Sequence, residues 1–218
     1  MENIKKIIDG KKYSEKFLKQ VYPLSTNFYK KFNRKPCLAV ILVGDNTASG
    51  IYVKNKVYTA EKNGIKSVKV ILSNKVSEAN LLNEILKLNE DQNVDGILVQ
   101  LPLPVHISEK NIIHSINPMK DVDGFHPINF GKLFMGDPNF VPCTPLGCYY
   151  MLKNELKELS GKNAVIIGRS NIVGKPMASL LLASNCSVTI THSKTKNLRE
   201  HCKKADILIS AVGIPEMV

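Results

Sequence analysis

Tyr52 and Lys56 lie four residues apart in the stretch IYVKNKVYTAEKNG. Helical residues at that spacing share a face, so a phenol and an amine can point into the same space. Taken alone, such a pair is more often a packed aromatic above a snorkelling surface lysine. A third polar residue, Gln100, closes the apolar run GILVQLPLP, whose prolines stop the strand at once. The carboxyl end of a strand is where open α/β sheets bind ligands, although capping of the strand end also accounts for a lone glutamine. KDVDG then places Asp121 and Asp123 in a loop able to fold across the same edge. A carboxylate facing a cyclic amidine accepts two parallel hydrogen bonds, which makes such forks specific. Turn formation or metal ligation remain open for either aspartate.

A second constellation lies in NAVIIGRSNIVGKPMASLLLASNCSVTITHSKTK, which reads strand, loop, helix, strand and has the length of one βαβ unit. Gly168 ends the strand where a tight turn is needed. Gly174 lets the helix start lie close to a diphosphate, facing it with free amides and the positive helix end. The pattern departs from G-x-G-x-x-G: Ser170 replaces the second glycine and the last glycine comes one residue late. After the second strand, where an acid usually receives the ribose 2′-hydroxyl, the chain offers His192, Ser193 and Lys194. With Arg169 in the loop, these favour NADP over NAD, since a carboxylate would repel a 2′-phosphate. A βαβ turn using glycine for geometry alone is the plain alternative. Tyr-x-x-x-Lys beside a nucleotide loop suggests short-chain dehydrogenases, but their glycine loop comes first in the chain; here it follows.

The elements that must position these residues are legible as apolar runs with punctuation. KPCLAVILVG, VKVILS and VDGILVQLPLP read as strands. Between them, a helix from about Ala48 to Asn63 has Asp45, Asn46 or Thr47 as caps and Gly64 as its stop, and a second follows a Ser77 cap with Leu81, Leu82, Ile85, Leu86 and Leu88 in helical period. Strands alternating with helices predict a parallel sheet covered on both faces. The stretch from Pro118 to Pro145, rich in Gly, Pro and Asp, is read as long loops, and a helix begins near Thr144 or Pro145. The expected architecture is α/β with two domains: a parallel-sheet α/β domain over residues 1–143 and a Rossmann-like NADP-binding domain over residues 144–218. No internal repeat stands out.

Composition fits that reading. The chain has 218 residues, 44% hydrophobic and 22% charged, enough for two modest domains. Its apolar runs fall short of the roughly 20 residues of a membrane helix, so no membrane partner is expected. The opening MENIKKIIDGKKYSEKF lacks the apolar centre of a secretory leader. Five cysteines, an odd number and scattered without C-x-x-C pairing, predict reduced thiols and no metal site. The net charge of +11 comes from dispersed lysines without a basic block, which argues against nucleic acid and for solvated faces or a field attracting small acidic ligands.

Seven stretches then fit one family in order: YVKNK, GILVQLPLP, KDVDGFHPINFGKL, FVPCTPLGC, GRSNIVGKPM, HSKT and DILISAVGIPEMV. Over nearly the whole chain the sequence resembles the bifunctional methylenetetrahydrofolate dehydrogenase and methenyltetrahydrofolate cyclohydrolase family. The resemblance implies NADP-dependent oxidation of 5,10-methylenetetrahydrofolate and hydrolysis of the methenyl product to 10-formyltetrahydrofolate in a shared cleft. It makes Lys56 the central catalytic group, with Gln100 tuning it and Tyr52 against the folate rings. Tyr52, Gln100 and Asp123 become substrate contacts, Asp123 at the pterin amidine edge. Gly168, Arg169, Ser170, Ile172, Gly174 and Ser193 become cofactor contacts, with Arg169 and Ser193 at the 2′-phosphate. It also implies a cytoplasmic homodimer in one-carbon metabolism that serves purine synthesis. The chemistry agrees: hydride transfer needs an oriented nicotinamide, whereas hydrolysis needs a group that exchanges protons. A folate glutamyl tail suits the positive charge. The family continues past GIPEMV with further strands, a Gly-Val-Gly-Pro loop and a returning helix, so the second domain is expected to be incomplete. Retention of only one activity, or a non-catalytic nucleotide- or RNA-binding module, are the alternatives.

Overall fold

The computed structural model describes residues 7–217; residues 1–6, part of the opening read as lacking a leader, lie outside the described residues. Packing divides the chain into two units, one of them Asp9–Val122 and the other beginning at Asp123.

The first unit opens with α1 (Gly10–Phe32), which the sequence reading leaves unassigned. Asp9 caps it, accepting from the Lys11 and Lys12 amides at 3.0 and 3.2 Å. The sheet follows: β1 (Cys37–Val43), β2 (Lys66–Leu72) and β3 (Gly96–Val99), all parallel in the order β2-β1-β3. Central β1 is apolar throughout because both of its faces are covered. Ala39, Ile41 and Val43 join Ile97 and Val99 in a core with Leu81, Ile85 and Leu88 of α3 (Glu78–Glu90) and Ile112 of α4 (Glu109–Ser115). Val40 and Leu42 join Leu98 on the opposite face, against Val53 and Val57 of α2 (Thr47–Lys62). Asn46 caps α2 by accepting from the Ser49 amide at 3.0 Å, and Ser77 caps α3 by accepting from Asn80 at 3.2 Å. Both caps match the sequence signals.

The second unit carries α5 (Pro127–Phe134), α6 (Cys143–Leu156), β4 (Asn163–Ile167), α7 (Gly174–Leu182), β5 (Ser187–Thr191), α8 (Leu198–Lys203) and β6 (Ile207–Ser210). Its strands are parallel in the order β5-β4-β6. Ala164, Ile166, Met177, Leu181 and Ile207 form its core, with Tyr149 and Leu152 of α6 packed against them. Helix α5 corrects the reading of Pro118 to Pro145 as loops. The imidazole Nδ1 of His126 accepts from the Ile128 amide at 3.2 Å and Pro127 takes the first turn, where its missing N–H costs nothing. At eight residues the helix is too short to show a period. It packs on α7, so the chain from Asp123 groups with the second sheet, earlier than the 143/144 division expected from sequence.

Among the described residues, no helix is long and apolar enough to cross a membrane, and no His, Cys, Asp and Glu group could hold a metal ion. The five cysteines are free thiols. Burial pushes those of Cys37, Cys148 and Cys186 above the usual thiol range, which makes them poor nucleophiles.

Candidate active site

Strand alternation decides where Gln100 points. Ile97 and Val99 face the α3 side and Leu98 faces α2, so Gln100 follows on the α2 side, just past the end of β3. Its backbone N–H continues the ladder to the Ile41 carbonyl at 2.9 Å. The side-chain amide is held at both ends. Nε2 donates to the Leu101 carbonyl at 2.7 Å, and Oε1 accepts from Lys56 Nζ at 3.1 Å. With the nitrogen committed to a carbonyl, the oxygen is the end that meets the amine. Lys56 is half-buried beside core residue Val57, whereas Tyr52, one turn earlier beside Val53, is 63% exposed. The fold thus brings together Lys56 and Gln100, distant in sequence, and leaves a phenol on the same stretch of α2 with most of its surface open.

The aspartate loop is fixed from below. Ile97 N–H donates to the Lys120 carbonyl at 2.6 Å, and Ile97 and Asp121 form a parallel bridge beside β3. The Lys120 ammonium donates to the Leu88, Asn89 and Asp91 carbonyls at 3.0, 2.8 and 2.8 Å. These lie at the carboxyl end of α3, where carbonyls lack helical partners and a cation is favoured. Asp121 is 2% exposed, whereas Asp123 is half-buried. The anchoring by Lys120 has no sequence signal beyond its place next to the acids, where a lysine reads as a solvated charge.

In the second unit, Gly168 leaves β4 with φ +113° and its N–H donates to the Thr191 carbonyl at 2.9 Å. A Cβ there would lie 2.5 Å from the Ala211 carbonyl oxygen. At Gly174 a Cβ would overlap the Gly168 carbonyl, so the start of α7 lies directly against the end of β4. Ser170 is a brace as well as a candidate contact. Its Oγ accepts from the Val173 and Gly174 amides at 3.1 and 3.3 Å, which leaves the hydroxyl hydrogen to donate outward. Arg169, Ser170, Ile172 and Ser193 are all exposed, and the pairing of Gly168 with Thr191 puts the glycine loop and the Ser193 turn on one sheet edge.

Residues 8–123 match the tetrahydrofolate dehydrogenase/cyclohydrolase catalytic domain, and residues 142–218 match the NAD(P)-binding domain of the same enzymes. The chain belongs to the tetrahydrofolate dehydrogenase/cyclohydrolase family. Bifunctional protein FolD of Ehrlichia canis is 50% identical over 214 residues, which are 97% of this chain and 71% of that protein. The FolD crystal structure from Campylobacter jejuni superposes with a TM-score of 0.94 at 47% identity, covering 98% of this chain and 76% of that one. The Trypanosoma brucei methylenetetrahydrofolate dehydrogenase-cyclohydrolase, complexed with NADP cofactor and inhibitor, gives 0.92 at 32% identity over 96% of this chain and 72% of its own. In this tetrahydrofolate dehydrogenase/cyclohydrolase, the Lys56–Gln100 pair falls within the catalytic-domain match and the glycine loop within the NAD(P)-binding match.

Proposed function

We propose that the protein oxidises 5,10-methylenetetrahydrofolate to 5,10-methenyltetrahydrofolate with NADP and hydrolyses that product to 10-formyltetrahydrofolate. The observation that carries this reading is the 3.1 Å contact between Lys56 Nζ and Gln100 Oε1 at the carboxyl edge of the first sheet. An amine held there can manage the protons of the hydrolysis. Water adds to the methenyl carbon and loses a proton, which Lys56 accepts. The carbon–nitrogen bond to the pterin ring then breaks as Lys56 returns its proton to the departing nitrogen, and the hydroxyl gives its remaining proton to solvent as the formyl C=O forms. Gln100 keeps the amine on station in both protonation states, because its oxygen accepts from either. The open face of Tyr52 takes a folate ring, and Asp123 accepts from the pterin amidine edge.

The second unit is suited to a dinucleotide. Gly168 and Gly174 let the end of β4 and the start of α7 close without side chains, and Arg169, the Ser170 hydroxyl and Ser193 offer donors beside that turn. Gly168, Ser170, Ile172 and Gly174 would hold the diphosphate side, with Arg169 and Ser193 toward the 2′-phosphate. When bound, NADP supplies the hydride acceptor. Assembly as a homodimer in the cytoplasm belongs to the same proposal, and sedimentation of the purified chain tests the dimer.

The deciding experiment follows methenyltetrahydrofolate by absorbance. Its formation from the methylene substrate is compared with NADP and with NAD, and its hydrolysis is followed without nucleotide. Formation favoured by NADP, together with hydrolysis lost in Lys56→Met, is the expected result. Hydrolysis at the full rate in Lys56→Met removes the lysine from the role given to it.

A further inference from the structure

We propose that Thr195 is a positioning residue for the choice between NADP and NAD: its hydroxyl closes the turn that presents Ser193. This rests on the NADP reading above. Strand β5 ends at Thr191, whose carbonyl accepts from Gly168, so the residues that follow emerge beside the glycine loop. The chain reverses there within four residues. His192 N–H donates to Thr195 Oγ1 at 2.9 Å, and Thr195 N–H donates back to the His192 carbonyl at 2.8 Å. Lys194 N–H donates to His192 Nδ1 at 3.1 Å. Thr195 and His192 are half-buried, whereas Ser193 and Lys194 are exposed.

The turn therefore spends its own polar groups internally and leaves two side chains free. A hydroxyl that recognises a phosphate oxygen must be placed to within a fraction of an ångström, and a backbone tied at both ends supplies that placement. Thr195→Val keeps the shape of the side chain but removes the acceptor. The His192 amide is then unpaired, and the turn opens to reach water. Ser193 loses its fixed position. A dinucleotide without the 2′-phosphate does not sense the change, and neither does hydrolysis of the methenyl substrate, whose proton-transfer pair, Lys56 and Gln100, lies in the other unit.

The test measures dissociation constants of NADP and NAD by calorimetry on wild type, Thr195→Val, Thr195→Ala and Thr195→Ser, with nucleotide-free hydrolysis assayed on each preparation. The expected result is an NADP constant raised about tenfold in the Val and Ala variants. The NAD constant and hydrolysis stay within about twofold of wild type, and Thr195→Ser restores NADP binding. An NADP-selective wild type whose ratio survives both substitutions overturns the proposal alone. Equal losses of NADP binding, NAD binding and hydrolysis overturn it too, by reducing Thr195 to a general structural role. A wild type that binds both nucleotides equally overturns the NADP reading and this inference with it.

Discussion

Cys37 opens the central strand of the first sheet and Asn163 that of the second, and an aspartate grips each in the same way. Asp95 donates its amide to the Cys37 carbonyl at 2.9 Å and accepts the Cys37 amide on Oδ2 at 2.8 Å. Asp206 repeats both bonds with Asn163, at 2.9 and 2.8 Å. At the carboxyl end, Gly44 donates to Leu72 and Gly168 to Thr191, while Gln100 donates to Ile41 and Ala211 to Ile167. Ile41 and Ile167 are each the fifth residue of their strand, so Gln100 and Ala211 occupy the same place in two copies of one frame. The difference lies in what that place holds. Gln100 carries an amide to the lysine of the crossover helix. Ala211 carries a methyl, and its carbonyl fills the space where a Cβ of Gly168 would stand. One frame is finished with an amide and an amine in contact, the other with bare backbone closing on a glycine.

Removing the amine breaks this contrast most severely. Lys56→Met should lower nucleotide-free hydrolysis by at least about 100-fold, the range of a positioned proton-transfer group, while NADP binding is unchanged. Gln100→Ala makes the first sheet resemble the second at this position. Loss of a hydrogen bond to a charged partner, on the order of 1.5 kcal/mol, predicts a fall of about tenfold in hydrolysis with little change in thermal midpoint. Steady-state rates on the methenyl substrate check both. A Gln100→Ala variant with the wild-type rate would show that Lys56 keeps its place without the glutamine.

The two glycines that leave the central strands sharpen the comparison from the other side. Gly44 has φ +84°, and its nearest neighbour to a built Cβ is Asn74 Cβ at 3.3 Å. Gly168 has φ +113° and would meet the Ala211 carbonyl oxygen at 2.5 Å. Gly44→Ala should cost about 1–2 kcal/mol from the backbone alone. Gly168→Ala adds an overlap with main chain that cannot swing aside, so about 2–4 kcal/mol is expected, with weakened NADP binding. Urea midpoints and nucleotide titrations of the two variants measure the gap.

Much of the frame was legible because buried parallel strands write themselves as apolar runs and glycines punctuate them. Cys37–Val43, Gly96–Val99 and Asn163–Ile167 are such runs, and Asn46 and Ser77 cap the helices as their types suggest. Helix α1 carries little sequence signal for a physical reason: it is studded with lysines, carries Pro23, and buries only Ser25 fully. Its anchor is the Ser25 hydroxyl on the Asn63 carbonyl at 2.6 Å, a contact between distant residues with no local pattern. The candidate site divides likewise. The spacing of Tyr52 and Lys56 can be read locally, but the bond from Lys56 to Gln100, the hold of Lys120 on the end of α3 and the brace by Ser170 depend on the folded chain. The repeated frame leaves one trace, an acid before each third strand, in NVDGILV and KADILIS.

That acid sets up the smallest effect, and the pH at which it vanishes. Arg34 forks onto Asp95 with contacts of 2.7 and 2.8 Å, whereas Asp206 takes part in no ion pair among the described residues. Burial pushes the Asp95 carboxyl up, but the Arg34 guanidinium and the Cys37 amide together outweigh it and hold the group below the usual carboxylate range. A carboxyl with a lowered native pKa stabilises the fold fully above its unfolded value, near 3.9, and loses that contribution as pH falls through the native value. Asp95→Asn should therefore lower the urea midpoint at pH 7, and its deficit against wild type should shrink below about pH 4. Both partners keep roughly a third of their side-chain surface in solvent, 32% and 33%, so screening keeps the effect modest and 1 M salt should reduce it. Asp206→Asn, which retains an acceptor for Asn163 and loses no cation, should stay within about 0.5 kcal/mol of wild type. A deficit for Asp95→Asn that persists unchanged to pH 3 would mean the oxygens hold Cys37 and Arg34 by geometry, with charge contributing nothing.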